Sequence, residues 1–60
     1  MALFINRTPF PVHVFYVDDR GLEVPTLSLR EGEHAEVAST TSHAWRVRTH
    51  GGMLLRELAR

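Results

Sequence analysis

The stretch Val12-His13-Val14-Phe15-Tyr16-Val17 decides the fold. Apart from one His it is β-branched or aromatic, with Pro11 before it and Asp18-Asp19-Arg20-Gly21 after it. Such side chains lose rotamer freedom in a helix and pack well on a pleated surface, and the acidic-glycine run that follows turns the chain. The segment therefore reads as a strand that ends in a turn.

Outward from it, the same period of two recurs. Glu33-His34-Ala35-Glu36-Val37-Ala38-Ser39 alternates polar and apolar, as a half-exposed strand does. The polar connection Thr40-Thr41-Ser42 leads into His43-Ala44-Trp45-Arg46-Val47-Arg48, where Trp45 and Val47 share one face and Arg46 and Arg48 the other. Thr49-His50-Gly51-Gly52 reads as a hairpin turn with two residues free to take positive φ. Residues 53–58 close that hairpin as a strand, although Leu54-Leu55-Arg56-Glu57-Leu58 also tolerates a helical turn. At the front, residues 2–6 form a strand stopped by Thr8-Pro9. The pattern predicts an all-β fold over residues 1–60, a small antiparallel sheet or partial sandwich of about four or five strands.

Composition narrows the function. The chain has 60 residues, and its seven cations, all Arg, balance seven acidic residues. A neutral chain has no long-range attraction for nucleic acid or an acidic membrane, so neither is expected as a partner. With no Cys, disulfides, thiolate nucleophiles and Cys-ligated zinc are excluded. The opening Met1-Ala2-Leu3-Phe4-Ile5 reaches Asn6-Arg7 too soon to resemble a signal peptide, and the expected location is cytoplasmic and soluble. Asn6-Arg7-Thr8 is read as a chance match to a glycosylation sequon. So small a domain buries only about 60% of its unfolded surface, which leaves little surplus over chain entropy. Self-association is expected to supply the missing cover, a homodimer first.

Two kinds of chemistry are not supported. His13, His34, His43 and His50 show neither an i, i+2 pair nor a helical i, i+4 pair, so no metal site is expected. Ser39, His43 and Asp18 or Asp19 are the ingredients of a nucleophilic triad, but no nucleophile elbow accompanies them and no enzyme is expected. The arginines at 46, 48, 56 and 60 read as a solvated strand face. No cofactor is called for.

Ser39, His43 and Trp45 are more informative. A hydroxyl, an imidazole and an indole near one sheet end suit a small saturated ring bearing a hydroxyl, stacked on the indole and bonded by the other two. Such a pocket discriminates, because a ligand without the hydroxyl leaves polar groups unpaired.

These residues carry a resemblance to the β-domain of the von Hippel-Lindau tumour suppressor family, which recognises 4-hydroxyproline in a peptide of hypoxia-inducible factor. Phe4-Ile5-Asn6-Arg7-Thr8-Pro9 resembles its opening strand and Asn-Arg-Ser-Pro turn. Residues 12–21 resemble the next strand and its Asp-Gly turn, and Pro25-Thr26-Leu27 its Tyr-Pro-Thr-Leu segment. Gly32 falls in the family's Pro-Pro-Gly turn. Ser39-Thr40-Thr41-Ser42-His43-Ala44-Trp45 matches Ser-x-x-x-His-x-Trp, and Thr49-His50-Gly51-Gly52-Met53-Leu54 resembles Thr-His-Asp-Gly-Leu-Leu.

The resemblance implies a sandwich fold and a hydroxyproline pocket in which Ser39 and His43 bond the hydroxyl and Trp45 lies under the ring. Tyr16 stands where the family has a second pocket Trp, Val24 where it has a pocket Tyr, and Ala38 where it has a His beside the pocket Ser. The later strands of the family's sandwich are missing, as is the helical domain that recruits elongins and a cullin ligase, so no elongin or cullin recruitment is expected. The function expected from the resemblance is non-catalytic binding of prolyl-hydroxylated peptides or proteins. The alternative is a structural or oligomerising β-module without hydroxyproline recognition.

Overall fold

A computed structural model of the chain describes residues 2–37 and 44–58, with the side chains of residues 2 and 58 left aside. The fold is all-β. Its six described strands are β1 (Ala2–Ile5), β2 (Val12–Val17), β3 (Glu23–Leu29), β4 (His34–Val37), β5 (Ala44–Thr49) and β6 (Leu54–Leu58). They form two antiparallel sheets, β1-β4 and β3-β2-β5-β6. No described helix is long and apolar enough to cross a membrane.

The central strand is β2, as its composition dictates. Val14, the least exposed residue at 0%, stands between Leu27 of β3 and Val47 of β5. Val12 and Tyr16 share its face, and period two places Leu29, Trp45 and Val47 on that side as well. The small sheet contributes Phe4 from β1 and, less deeply, Ala35 and Val37 from β4. Phe4, Val12, Val14, Leu29 and Trp45 make the buried core. Full burial of each such side chain contributes about 1.5–3 kcal/mol, so the core is a thin one.

The strand over residues 23–29 is additional to those read from the pattern. Two features hide it. Pro25 interrupts the run, which is tolerable because β3 is an edge strand with a free N–H side. The register then shifts between Val14/Phe15, so that Leu27 faces Val14 while Pro25 faces Phe15. Thr26 is the extra residue of that bulge, and the apolar alternation changes phase across it. Residues 54–58 form strand rather than a helical turn, with a second register shift between Val47/Arg48.

The turns follow their side chains. Asp18 Oδ1 accepts hydrogen bonds from the N–H groups of Arg20 and Leu22, both at 2.9 Å, while Gly21 takes φ 80°. In the 49–52 hairpin only Gly52 takes positive φ (96°), rather than both glycines, and its N–H donates to the Thr49 carbonyl at 2.9 Å.

Buried Asn6 ties the sheets together. Its Nδ2 donates to the carbonyls of Phe10 (2.7 Å) and Leu29 (3.0 Å), and its Oδ1 accepts from the Thr8 N–H and hydroxyl. Its backbone N–H donates to the Glu33 carbonyl, and its carbonyl accepts from Gly32 N–H. The side-chain amide read as a chance sequon is thus fully engaged inside the fold.

Candidate functional site

Three of the five expected pocket residues form one row across the sheet. In the ladder Tyr16 stands opposite Val24 on β3 and opposite Trp45 on β5. The Tyr16 and Trp45 rings meet edge to face with centroids 6.1 Å apart, and the Phe4 ring closes on Trp45 at 5.4 Å. Trp45 is 7% exposed, whereas Tyr16 and Val24 are half-buried. The arrangement is an aromatic wall with a small aliphatic neighbour, lying where β2 ends and β5 begins. Aromatic pairs of this kind hold each other's orientation and add about 0.5–1.5 kcal/mol beyond burial.

Ser39 and His43 lie outside the described residues, as does Ala38. Along the chain Ser39 follows the last residue of β4 by two positions, and His43 immediately precedes β5. Trp45 itself is the second residue of β5, so the Ser-x-x-x-His-x-Trp pattern runs from one sheet into the other.

Asp18 uses Oδ1 to hold its own turn, accepting from the N–H groups of Arg20 and Leu22.

The arginine face differs from the solvated stripe that the sequence suggested. Arg46 donates from Nε to Glu57 at 2.7 Å and from Nη1 to Glu23 at 3.0 Å. Arg48 donates from Nη2 to the same Glu23 carboxylate at 2.6 Å and from Nη1 to the Gly52 carbonyl at 2.9 Å. The chain Glu57–Arg46–Glu23–Arg48 crosses the outer face of the sheet and ties the edge strands β3 and β6 to β5. Hydrogen bonds from Arg48 and then Arg46 hold the Glu23 carboxyl at about 2, from an ordinary value of 4.5. The same contacts raise both guanidinium groups further, Arg46 chiefly through Glu57 and Arg48 through Glu23. Sequence reading missed Glu23 because its partners lie far away along the chain; an acidic residue flanking a strand opposite an Arg-x-Arg strand is the signal that could have found it.

A groove of about 410 Å³ opens between the sheets, lined on one side by Leu3 and Ile5 of β1 and on the other by Leu55 and Arg56 of β6, with Val14 and Val47 among its apolar lining. It contains none of the expected pocket residues. Among the described strands β1 pairs only with β4, and its Leu3, Phe4 and Ile5 line this groove. Leu3 and Ile5 are 57% and 47% exposed.

No protein-family profile, curated protein or solved structure matches this chain.

Proposed function

We propose that the chain is a non-catalytic binding module of von Hippel-Lindau type that reads 4-hydroxyproline in an extended peptide. The observation that carries this reading is the Val24–Tyr16–Trp45 row, set at the sheet end from which the chain runs back through His43 towards Ser39. The row supplies an apolar wall for a pyrrolidine ring. Ser39 and His43 supply partners for its hydroxyl, and the peptide backbone lies extended, as strand-like ligands do on β-domains. With Val24 in place of a Tyr, that position offers no phenolic hydroxyl to anchor the peptide backbone, so the selector for the modified proline is separated from that anchor. Protein tumbling and the Trp45 indole N–H resonance provide a direct test. On this reading a hydroxyproline peptide shifts that resonance in a saturable manner, and its proline twin leaves it in place at the same concentration.

Self-association belongs to the same proposal. The β1 edge left unpaired among the described strands, the groove and its exposed Leu3, Ile5 and Leu55 form an apolar rim that a second copy of the chain covers by pairing edge to edge. The partners of the module are thus a prolyl-hydroxylated segment at the aromatic row and a second protomer at the β1 side. Recruitment of a ubiquitin ligase is not part of the reading.

One observation favours a second reading. Trp45 is almost wholly buried and packs on Phe4, which is what a purely structural indole also does. Under that reading the domain is an oligomerising module and hydroxyproline has no special standing.

A further inference from the structure

On the face of the sheet opposite the core, two histidines far apart in sequence come together. His13 on β2 and His50 in the 49–52 hairpin place Nε2 and Nδ1 3.3 Å apart, with ring centroids 5.5 Å apart and planes at 41°. Behind them, His13 Nδ1 lies 2.7 Å from the Ser28 hydroxyl of β3. We propose that His13 and His50 form a two-imidazole chelate for a divalent transition-metal ion of the copper, nickel and zinc class, independent of the hydroxyproline reading.

The spacing is the first argument. Two imidazole nitrogens at about 2.0–2.1 Å from one metal ion stand roughly 2.9–3.4 Å apart for metal angles between right-angled and tetrahedral. The observed 3.3 Å falls within that interval. Once the His50 proton sits on Nε2 rather than Nδ1, small rotations of the two rings turn the nitrogen-to-nitrogen contact into two lone pairs converging on a common ion.

The backing is the second argument. In the tautomer whose Nδ1–H donates to the Ser28 hydroxyl, His13 presents its Nε2 lone pair towards His50. Metal-ligating imidazoles are oriented in this way by a partner on the other ring nitrogen. Ser28 is therefore a positioning residue, not a ligand.

The surrounding charge is the third. Arg48 lies opposite His13 in the ladder, but its guanidinium is held by Glu23 and the Gly52 carbonyl, which offsets the repulsion a bare cation would exert on a metal. Among the described residues no third His, Cys, Asp or Glu joins the pair. The remaining positions on the metal thus go to water or to an incoming ligand. Two neutral imidazoles and no carboxylate suit borderline metals over magnesium or calcium, with copper first in the expected order of affinity.

Calorimetric titration of the folded chain with Cu²⁺, Ni²⁺ and Zn²⁺ tests this. The expected result is one ion per chain, tightest for Cu²⁺, weakened at least tenfold in His13→Ala and in His50→Ala. Ser28→Ala should weaken it by about tenfold, the usual effect of removing an outer partner. His34→Ala and His43→Ala should bind as the parent does. Circular dichroism of each variant establishes that it is folded. Should a variant not fold, paramagnetic broadening by substoichiometric Cu²⁺ in the parent must select the ring protons of His13 and His50 before those of His34 and His43. Titrations unchanged in His13→Ala and His50→Ala, loss confined to His43→Ala, broadening that starts elsewhere, or the lack of any saturable binding would each overturn the proposal.

Discussion

The Asn6 side-chain amide donates to the carbonyl of Leu29, twenty-three residues away, at 3.0 Å, and so fixes the loop after β1 to the end of β3. The same nitrogen holds the Phe10 carbonyl, and the amide oxygen is filled by Thr8. The Asn6 side chain thus satisfies backbone groups from the loop between β1 and β2 and from β3 where apolar packing is thin.

Replacing Asn6 by Ala leaves the Leu29 carbonyl without that donor. An unsatisfied buried polar group costs about 1–3 kcal/mol. In so small a domain that is a large fraction of the total stability, and thermal melts of Asn6→Ala should show a clearly lower midpoint. Asn6→Asp should be no better, because its carboxylate faces the same two carbonyl oxygens without a proton to donate. Melts that match the parent would show that other groups hold this corner.

Trp45→Ala removes the indole shared by the core and the aromatic row. Loss of a large buried aromatic costs about 3–5 kcal/mol, comparable with the whole stability of a domain of this size. Denaturant unfolding should move to markedly lower midpoint or show no folded baseline. Trp45→Phe keeps contact with Phe4 and should recover much of the loss.

The acid dependence of stability should report on Glu23. Its folded carboxyl titrates at about 2 against an ordinary 4.5. A lowered carboxyl binds protons more readily in the unfolded chain, so its stabilisation is complete above about 4.5 and disappears as pH falls through 2. Melts of the parent should therefore lose ground to Glu23→Gln across that window. Because Glu23 retains 22% side-chain exposure, added salt should shrink the difference. Parallel curves for the two proteins would contradict the network.

Sedimentation should find dimers at micromolar concentration, through the β1 edge. Leu55→Lys places a charge in the adjoining groove and should weaken association about tenfold or more, equivalent to about 1.4 kcal/mol. A parent that remains monomeric at every concentration would show that the rim is tolerated in a single chain.

The sequence was legible where the local pattern and the tertiary fold agree. Residues 12–17 and most of the stretch read as 43–48 are strands β2 and β5, with Trp45 and Val47 on the core side and Arg46 and Arg48 on the other, as their alternation implied. Residues 23–29 were not legible, because Pro25 and the Thr26 bulge break the period that marks a strand. Of the expected site residues, the ladder brings Tyr16, Val24 and Trp45 into one row, and Ser39 and His43 lie outside the described residues. The contacts of Glu23 with Arg48 and of His13 with His50 were not read, because each joins residues far apart along the chain that only the strand order and the 49–52 hairpin bring together. Asn6 looked like a modification motif because a sequon and a buried turn asparagine use the same letters.

Hydroxyproline selectivity is the centre of the account, and paired peptides differing by one oxygen atom test it most directly. On the proposed reading the bound peptide desolvates Ser39 and His43, which then need the hydroxyl as their partner; leaving them unpaired costs about 1–3 kcal/mol, roughly tenfold to a hundredfold in affinity. The measurement is the ratio of dissociation constants for a 4-hydroxyproline peptide and its proline twin, in the parent and in Ser39→Ala/His43→Phe. The expected ratio is at least about tenfold in favour of the hydroxylated peptide, collapsing to near unity in the double variant. Equal binding of the two peptides by the parent, or binding of neither, would contradict it and leave the domain as a structural module.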